Sequence, residues 1–139
     1  MSLSMRNQLP GTVTSVTPDE AMALVHVRLD GGGRLTSAIT RDAVEDLRLS
    51  EGTTVRALVK STEVSLATGP VDGLSIRNRL PGTVSRITLG AAMASVRVGV
   101  AGGELTAAIT RDAVSDLGLA QGTHVTALIK STEVALATV

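Results

Sequence analysis

The chain has 139 residues, 43% of them hydrophobic, no net charge, and no Cys, Phe, Tyr or Trp. That length holds one ordinary domain or two very small ones, and the apolar fraction is too high for a disordered chain. Without cysteine there is no disulfide, thiolate metal site or cysteine nucleophile. Without aromatics or net positive charge, no nucleic-acid partner is expected, because neither base stacking nor counterion release has residues to work with.

The N-terminal MSLSMRNQLPG lacks the apolar run of a signal peptide, and no stretch approaches a membrane span. No membrane partner is expected, and the expected location is cytoplasmic. From Ser4 the string SMRNQLPGTV begins a unit that recurs from Ser75 as SIRNRLPGTV. The two copies agree at most positions as far as Thr68 and Thr138, so the chain is an internal duplication. The expected division is residues 1–68, a linker at 69–74 (GPVDGL), and residues 75–139.

After the opening string, Ala23, Val25, Val27 and Leu29 alternate with Met22, Leu24, His26 and Arg28, the pattern of a half-buried strand. Copy two repeats it with Ala94, Val96, Val98 and Val100. The glycine turn at 31–33 feeds RLTSAIT as the return strand of a hairpin. The only length change between copies falls in this turn, where an insertion is expected to disturb no ladder or core contact. In RDAVEDLRL the residues Ala43, Val44 and Leu47 share a helical face, with Thr40 as N-cap and Asp42 in the first turn. TTVRALVK and EVSLAT then read as two further strands. Each unit is expected to be about five strands with one short helix between the third and fourth, which suits a small barrel of the OB type. Such a unit buries only about 60% of its unfolded surface, so tight pairing of the copies and a homo-oligomer are expected.

Little here supports catalysis. The two histidines, His26 and His124, stand at non-equivalent places, since the other copy has Arg97 and Thr54 at the matching positions. A duplicated active site would need its base twice. Asp42, Glu45 and Asp46 suit a solvated helix face, and Ser115 replaces Glu45 in copy two. GGG lacks the Lys-Ser/Thr and helix of a phosphate loop. No enzyme and no metal-cation ligands are expected. What repeats is a set of hydrogen-bonding groups: Ser4, Arg6, Asn7, Thr40, Lys60 and Ser61, then Ser75, Arg77, Asn78, Thr110, Lys130 and Ser131. Cations, hydroxyls and the N–H groups at a helix start suit a tetrahedral oxyanion. The same residues also suit plain structural roles: Thr40 as a cap, Lys60 as a solvated strand end, Asn7 as a turn residue.

The two strings and their separation resemble the Mop domain of molybdate-binding proteins, whose motif runs Ser-Ala-Arg-Asn-x-x-x-Gly-x-Val to Ile-Lys-x-x-x-Val. A tandem pair is similar to the di-Mop molbindins. The resemblance implies two OB-like five-stranded barrels, mainly β, that hold molybdate and also tungstate without a cofactor, for cytoplasmic storage or homeostasis. It implies a homo-oligomer, a trimer, with anions at domain and subunit interfaces. It also implies the site residues: Ser4, Met5 (through its main-chain N–H), Arg6, Thr40, Lys60 and Ser61, and equivalently Ser75, Ile76, Arg77, Thr110, Lys130 and Ser131. The Ser-x-Arg segment is then supplied by one domain and the Thr and Lys-Ser groups by its neighbour.

Two positions depart from that pattern. Met5 and Ile76 replace a small residue, and Ala43 and Ala113 stand where a serine is frequent. One neutral hydrogen bond is worth about 0.5–1.5 kcal/mol, tenfold in affinity at most, so binding survives its loss. The alternative function is a molybdate-sensing accessory module that acts through a protein partner.

Overall fold

The computed structural model describes residues 2–139. The first repeat forms β1 (Asn7–Pro18), β2 (Met22–Leu29), β3 (Arg34–Thr40), α1 (Arg41–Leu47), β4 (Thr54–Val59) and, after a 3-10 turn at Ser61–Glu63, β5 (Ser65–Ala67). The second forms β6 (Asn78–Leu89), β7 (Met93–Val100), β8 (Gly103–Thr110), α2 (Arg111–Asp116), β9 (His124–Ile129), a 3-10 turn at Ser131–Glu133 and β10 (Ala135–Thr138). Residues 69–74 carry no strand or helix. The alternation read in β2 holds: Ala23, Val25, Val27 and Leu29 are buried, and Met22, Leu24 and Arg28 face outward. In each long strand the ladder to its hairpin partner slips by one residue, at Val13/Ser15 and at Val84/Arg86. Such a bulge bends the strand and curls the sheet towards a barrel. The hydroxyls of the bulged residues, Thr14 and Ser85, donate across it to the carbonyls of His26 and Arg97.

The pairing of the fifth strands is what the sequence pattern leaves open. The sheet orders are β10-β4-β1-β2-β3 and β5-β9-β6-β7-β8, so each sheet takes four strands from one repeat and its last from the other. Ala135 and Leu136 pair with Leu58 and Ala57, and Ser65 and Leu66 with Leu128 and Ala127. Thus 65–67 lie in the sheet built on the second repeat and 135–138 in the sheet built on the first. The largest core cluster runs through both repeats, with Leu9, Val25, Val55 and Ala57 packed with Leu105, Ala107, Ala127 and Ile129. A small unit that cannot bury enough apolar surface alone gains it by sharing.

The glycine turns have a role beyond the tolerance for insertion expected of them. The β2–β3 and β7–β8 tips pack on each other, main chain on main chain. A Cβ on Gly31 would overlap the backbone of Gly102, and one on Gly102 would lie 2.7 Å from the Gly31 Cα. The length change falls within this same turn, where a Cβ added at the neighbouring Gly32 would meet only Ala101 Cβ, at 3.9 Å. Gly31→Ala is expected to destabilise the protein by about 1–3 kcal/mol, the usual cost of overpacking a close contact. As a control, Gly99→Ala places its Cβ 3.8 Å from the Thr83 carbonyl and should leave the urea midpoint nearly unchanged. Equal midpoints for both variants would refute the tip contact.

Candidate functional site

The register fixes where the repeated strings meet. Asn7 pairs with Val59 and Asn78 with Ile129, so Ser4–Arg6 and Ser75–Arg77 run into the sheet beside the ends that lead to Lys60–Ser61 and Lys130–Ser131. In the second repeat Ser75, Ile76, Arg77, Lys130, Ser131 and Thr132 line one cavity of about 250 Å³. The arm and the Lys-Ser pair of a single repeat therefore share this recess. In the first repeat Met5 and Lys60 line a cavity of about 220 Å³ with Ile39, and its other wall is Thr132–Ala135 of the second repeat. Ser4, Arg6 and Ser61 do not line it. The 3-10 turn of each repeat packs against β3 or β8 of the other, which explains why this cavity lies between repeats.

Thr40 and Thr110 line neither cavity. Each caps its helix: Thr40 Oγ1 accepts from Ala43 N–H, and Thr110 Oγ1 from Ala113 N–H, both at 3.1 Å. The hydroxyl hydrogen is not used in that cap and can donate elsewhere. The helix start is anchored by the next residue. Arg41 N–H donates to the Ala21 carbonyl and its Nη1 to the Asp19 carbonyl, and Arg111 repeats both bonds to Ala92 and Gly90. In the first repeat the Asp19 carboxylate also accepts from Met22 and Ala21 N–H, at 2.7 and 2.9 Å. Those N–H groups of Met22 and Ala21 hold its carboxyl below the usual carboxylate range.

Asn7 and Asn78 do not bond local backbone in a turn. Each is 2% exposed and spends its amide on the other repeat. Asn7 Nδ2 donates to the Thr106 carbonyl while Thr106 N–H donates to Asn7 Oδ1, both 2.8 Å. Asn78 makes the same reciprocal pair with Thr36, also at 2.8 Å. Each amide thus completes the backbone hydrogen bonding of a sheet-edge strand, β8 or β3. Sequence reasoning also passed over Gln8 and Arg79, the variable letter after the asparagine. Gln8 Nε2 donates to the Met5 carbonyl and Arg79 to the carbonyls of Ile76 and Leu74. The signal was that both letters can donate to backbone.

His26 and His124 are strand residues bonded to Thr36 and Thr83. Among the described residues the one salt bridge is Arg41–Glu45, so Arg6, Arg77, Lys60 and Lys130 have no acidic partner within salt-bridge distance. No group of three or more His, Asp or Glu could hold a metal ion among those residues. Unpaired cations beside hydroxyls in an open recess attract anions rather than cations.

Two small curled sheets that exchange their closing strands, with such a recess at the arm, define a tandem small-barrel protein with an anion-suited site. The chain belongs to the TOBE-domain family, whose model, "TOBE domain", matches residues 3–66 and again 74–136. It is similar to the molybdenum-pterin-binding protein MopB of Rhodobacter capsulatus, with 42% identity over 136 residues that cover 96% of this chain and 50% of MopB. It therefore spans about half the length of that relative. The molybdenum-pterin-binding protein 3 of Clostridium pasteurianum is 44% identical over 66 residues, 48% of this chain and 97% of its own. Among solved structures, the molybdate-bound form of the cytoplasmic molybdate-binding protein ModG superposes with a TM-score of 0.96. That match has 38% identity and covers 100% of both chains.

Asn78→Ala removes both bonds to Thr36 and leaves a part-buried N–H and carbonyl without their partner. A loss of about 2–6 kcal/mol is expected by urea denaturation, since each of the two orphaned groups costs about 1–3 kcal/mol. A change near zero would remove the clasp from the structure's supports. The lowered Asp19 pKa has its own signature. Its contribution is present above the unfolded-state pKa and is lost as pH falls through the folded one. Acidification should therefore lower the protection of the Ala21 and Met22 amides, each rate taken relative to its intrinsic value at that pH, with no matching step at Ala92 and Met93, where Gly90 offers no carboxylate; the same step at both pairs would contradict the assignment.

Proposed function

We propose that this protein binds molybdate, and tungstate in its place, and stores or buffers it in the cytoplasm without chemical turnover. The observation that carries the reading is the recess where Ser75, Arg77, Lys130 and Ser131 converge. Its donors suit an oxyanion that accepts hydrogen bonds on all sides and asks for no acid or base. The whole-length similarity to molybdate-bound ModG supports the choice of molybdate.

In the proposed site the arm donors are Ser4, Arg6 and the Met5 main chain, or Ser75, Arg77 and the Ile76 main chain. Lys60–Ser61 and Lys130–Ser131 supply the cations and further hydroxyls. Thr40 and Thr110, whose oxygens already accept from the helix, turn their O–H outward to an anion shared with a neighbouring domain or subunit. The assembly is a homotrimer, which brings threonine and arm together where a single chain leaves them apart. Sulfate, with shorter bonds, spans the same donors poorly.

A second reading draws on the half-length match to MopB: the pair serves as a molybdate-sensing module that acts on a protein partner. Capture of one stoichiometric partner whose affinity changes with molybdate would favour it.

Calorimetric titration with molybdate in excess sulfate is expected to show saturable heat with several anions per oligomer. No heat with either oxyanion would overturn the proposal. Lys60→Ala and Lys130→Ala are expected to lower the number of anions bound while light scattering shows the same oligomer. Wild-type stoichiometry in both variants would remove the lysines from the site.

A further inference from the structure

The two arms are held by different devices at the same position. In the first repeat Gln8 Nε2 donates to the Met5 carbonyl at 3.0 Å, and Arg56 Nη1 steadies Gln8 through its Oε1 at 3.3 Å. In the second repeat Arg79 reaches the arm directly, with Nε 3.0 Å from the Ile76 carbonyl and Nη2 2.7 Å from the Leu74 carbonyl. Thr126 takes the place of Arg56 there. The guanidinium has in effect moved from β4 to the start of β6, from one neutral bond relayed through an amide to two charge-assisted bonds.

A trans peptide is planar, with its C=O and N–H pointing in opposite directions. Holding the Ile76 carbonyl therefore fixes the direction of Arg77 N–H, and holding the Leu74 carbonyl fixes that of Ser75 N–H, so both peptide planes that flank the proposed Ile76 N–H donor are set. The first arm has the equivalent restraint only at Arg6 N–H. Ordering that is complete before a ligand arrives does not subtract from its affinity.

We infer that Arg79 and Gln8 are positioning residues that make the two repeats unequal, the second arm being preorganised and the tighter anion site. Neither residue is among those lining the cavity beside its arm. The inference rests on the oxyanion reading above. It predicts two affinity classes in a molybdate titration of the full chain. Arg79→Gln, which copies the first repeat, should weaken the tighter class about tenfold, the scale of a charge-assisted bond. The number of anions and the anion-free melting temperature should stay the same. Arg79→Lys keeps the charge but cannot hold two carbonyls at once, so it should lose affinity as well. The pair Gln8→Arg with Arg56→Thr, which copies the second repeat, should tighten the weaker class. In anion-free protein, amide exchange at Ser75 and Arg77 should quicken in Arg79→Gln, with the strand amides unchanged.

Saturable binding that Arg79→Gln leaves unaltered, or that Arg79→Lys fully restores, would overturn the inference and leave the oxyanion reading standing. Equal weakening of every site, or a fall in melting temperature that accounts for the loss, would overturn it too. Absence of any heat from the wild type would overturn the oxyanion reading and the two classes with it, while the exchange data would still decide whether Arg79 orders the arm.

Discussion

The exchange of β5 and β10 is the constraint from which the other features follow. A four-stranded remnant of either repeat would leave β4 or β9 with an unpaired edge and its apolar face half covered. Because each repeat closes the other's sheet, Ala57, Ala127 and Ile129 lie at the centre of one shared interior rather than on the surfaces of two. The asparagine clasps then act at the opposite edges, on β3 and β8, where no fifth strand comes. Main chain is thereby satisfied across the junction at both ends of each sheet, by strand pairing at one and by a side-chain amide at the other.

Much of this was legible, and the reasons differ by residue. The alternation in β2 and β7, the Thr40 cap and the duplication are local signals, set by spacing along the chain. The OB-like architecture and the short helix between third and fourth strands followed from their order. The partner of the fifth strand was not legible, since EVSLAT and EVALAT are nearly the same string and their letters do not say which of β4 and β9 each one meets. Asn7 read as an anion donor or a turn residue because a long-range clasp to Thr106 leaves no trace in neighbouring letters. The resemblance to Mop domains identified the strings but not the division of labour inside them. In Arg-Asn-x-Leu-Pro-Gly the asparagine joins repeats, the leucine fills the core, and the glycine admits the β2 backbone, with Arg28 O only 2.6 Å from where a Cβ on Gly11 would lie.

That division explains why the motif tolerates change where it does. Met5 and Ile76 contribute a main-chain group to the proposed site, and a main-chain group is indifferent to the side chain attached to it. Gln8 and Arg79 differ because each must reach a carbonyl and both can. The lysines follow strands whose last residues, Val59 and Ile129, pair with the clasped asparagines, so the placement of the cations is tied to the integrity of the core.

The exchanged strands also govern when the protein can fold. The first sheet needs residues 135–138, so a ribosome must make the whole second repeat before β4 finds its neighbour. At a synthesis rate of about 5–20 residues per second, the first repeat waits several seconds with that edge open. The nascent half cannot mature independently, and two ribosomes on one message hold out identical unfinished edges to each other. Contacts this distant in sequence make for slow, concerted folding, and a duplication that looks modular in its letters is a single unit in its kinetics.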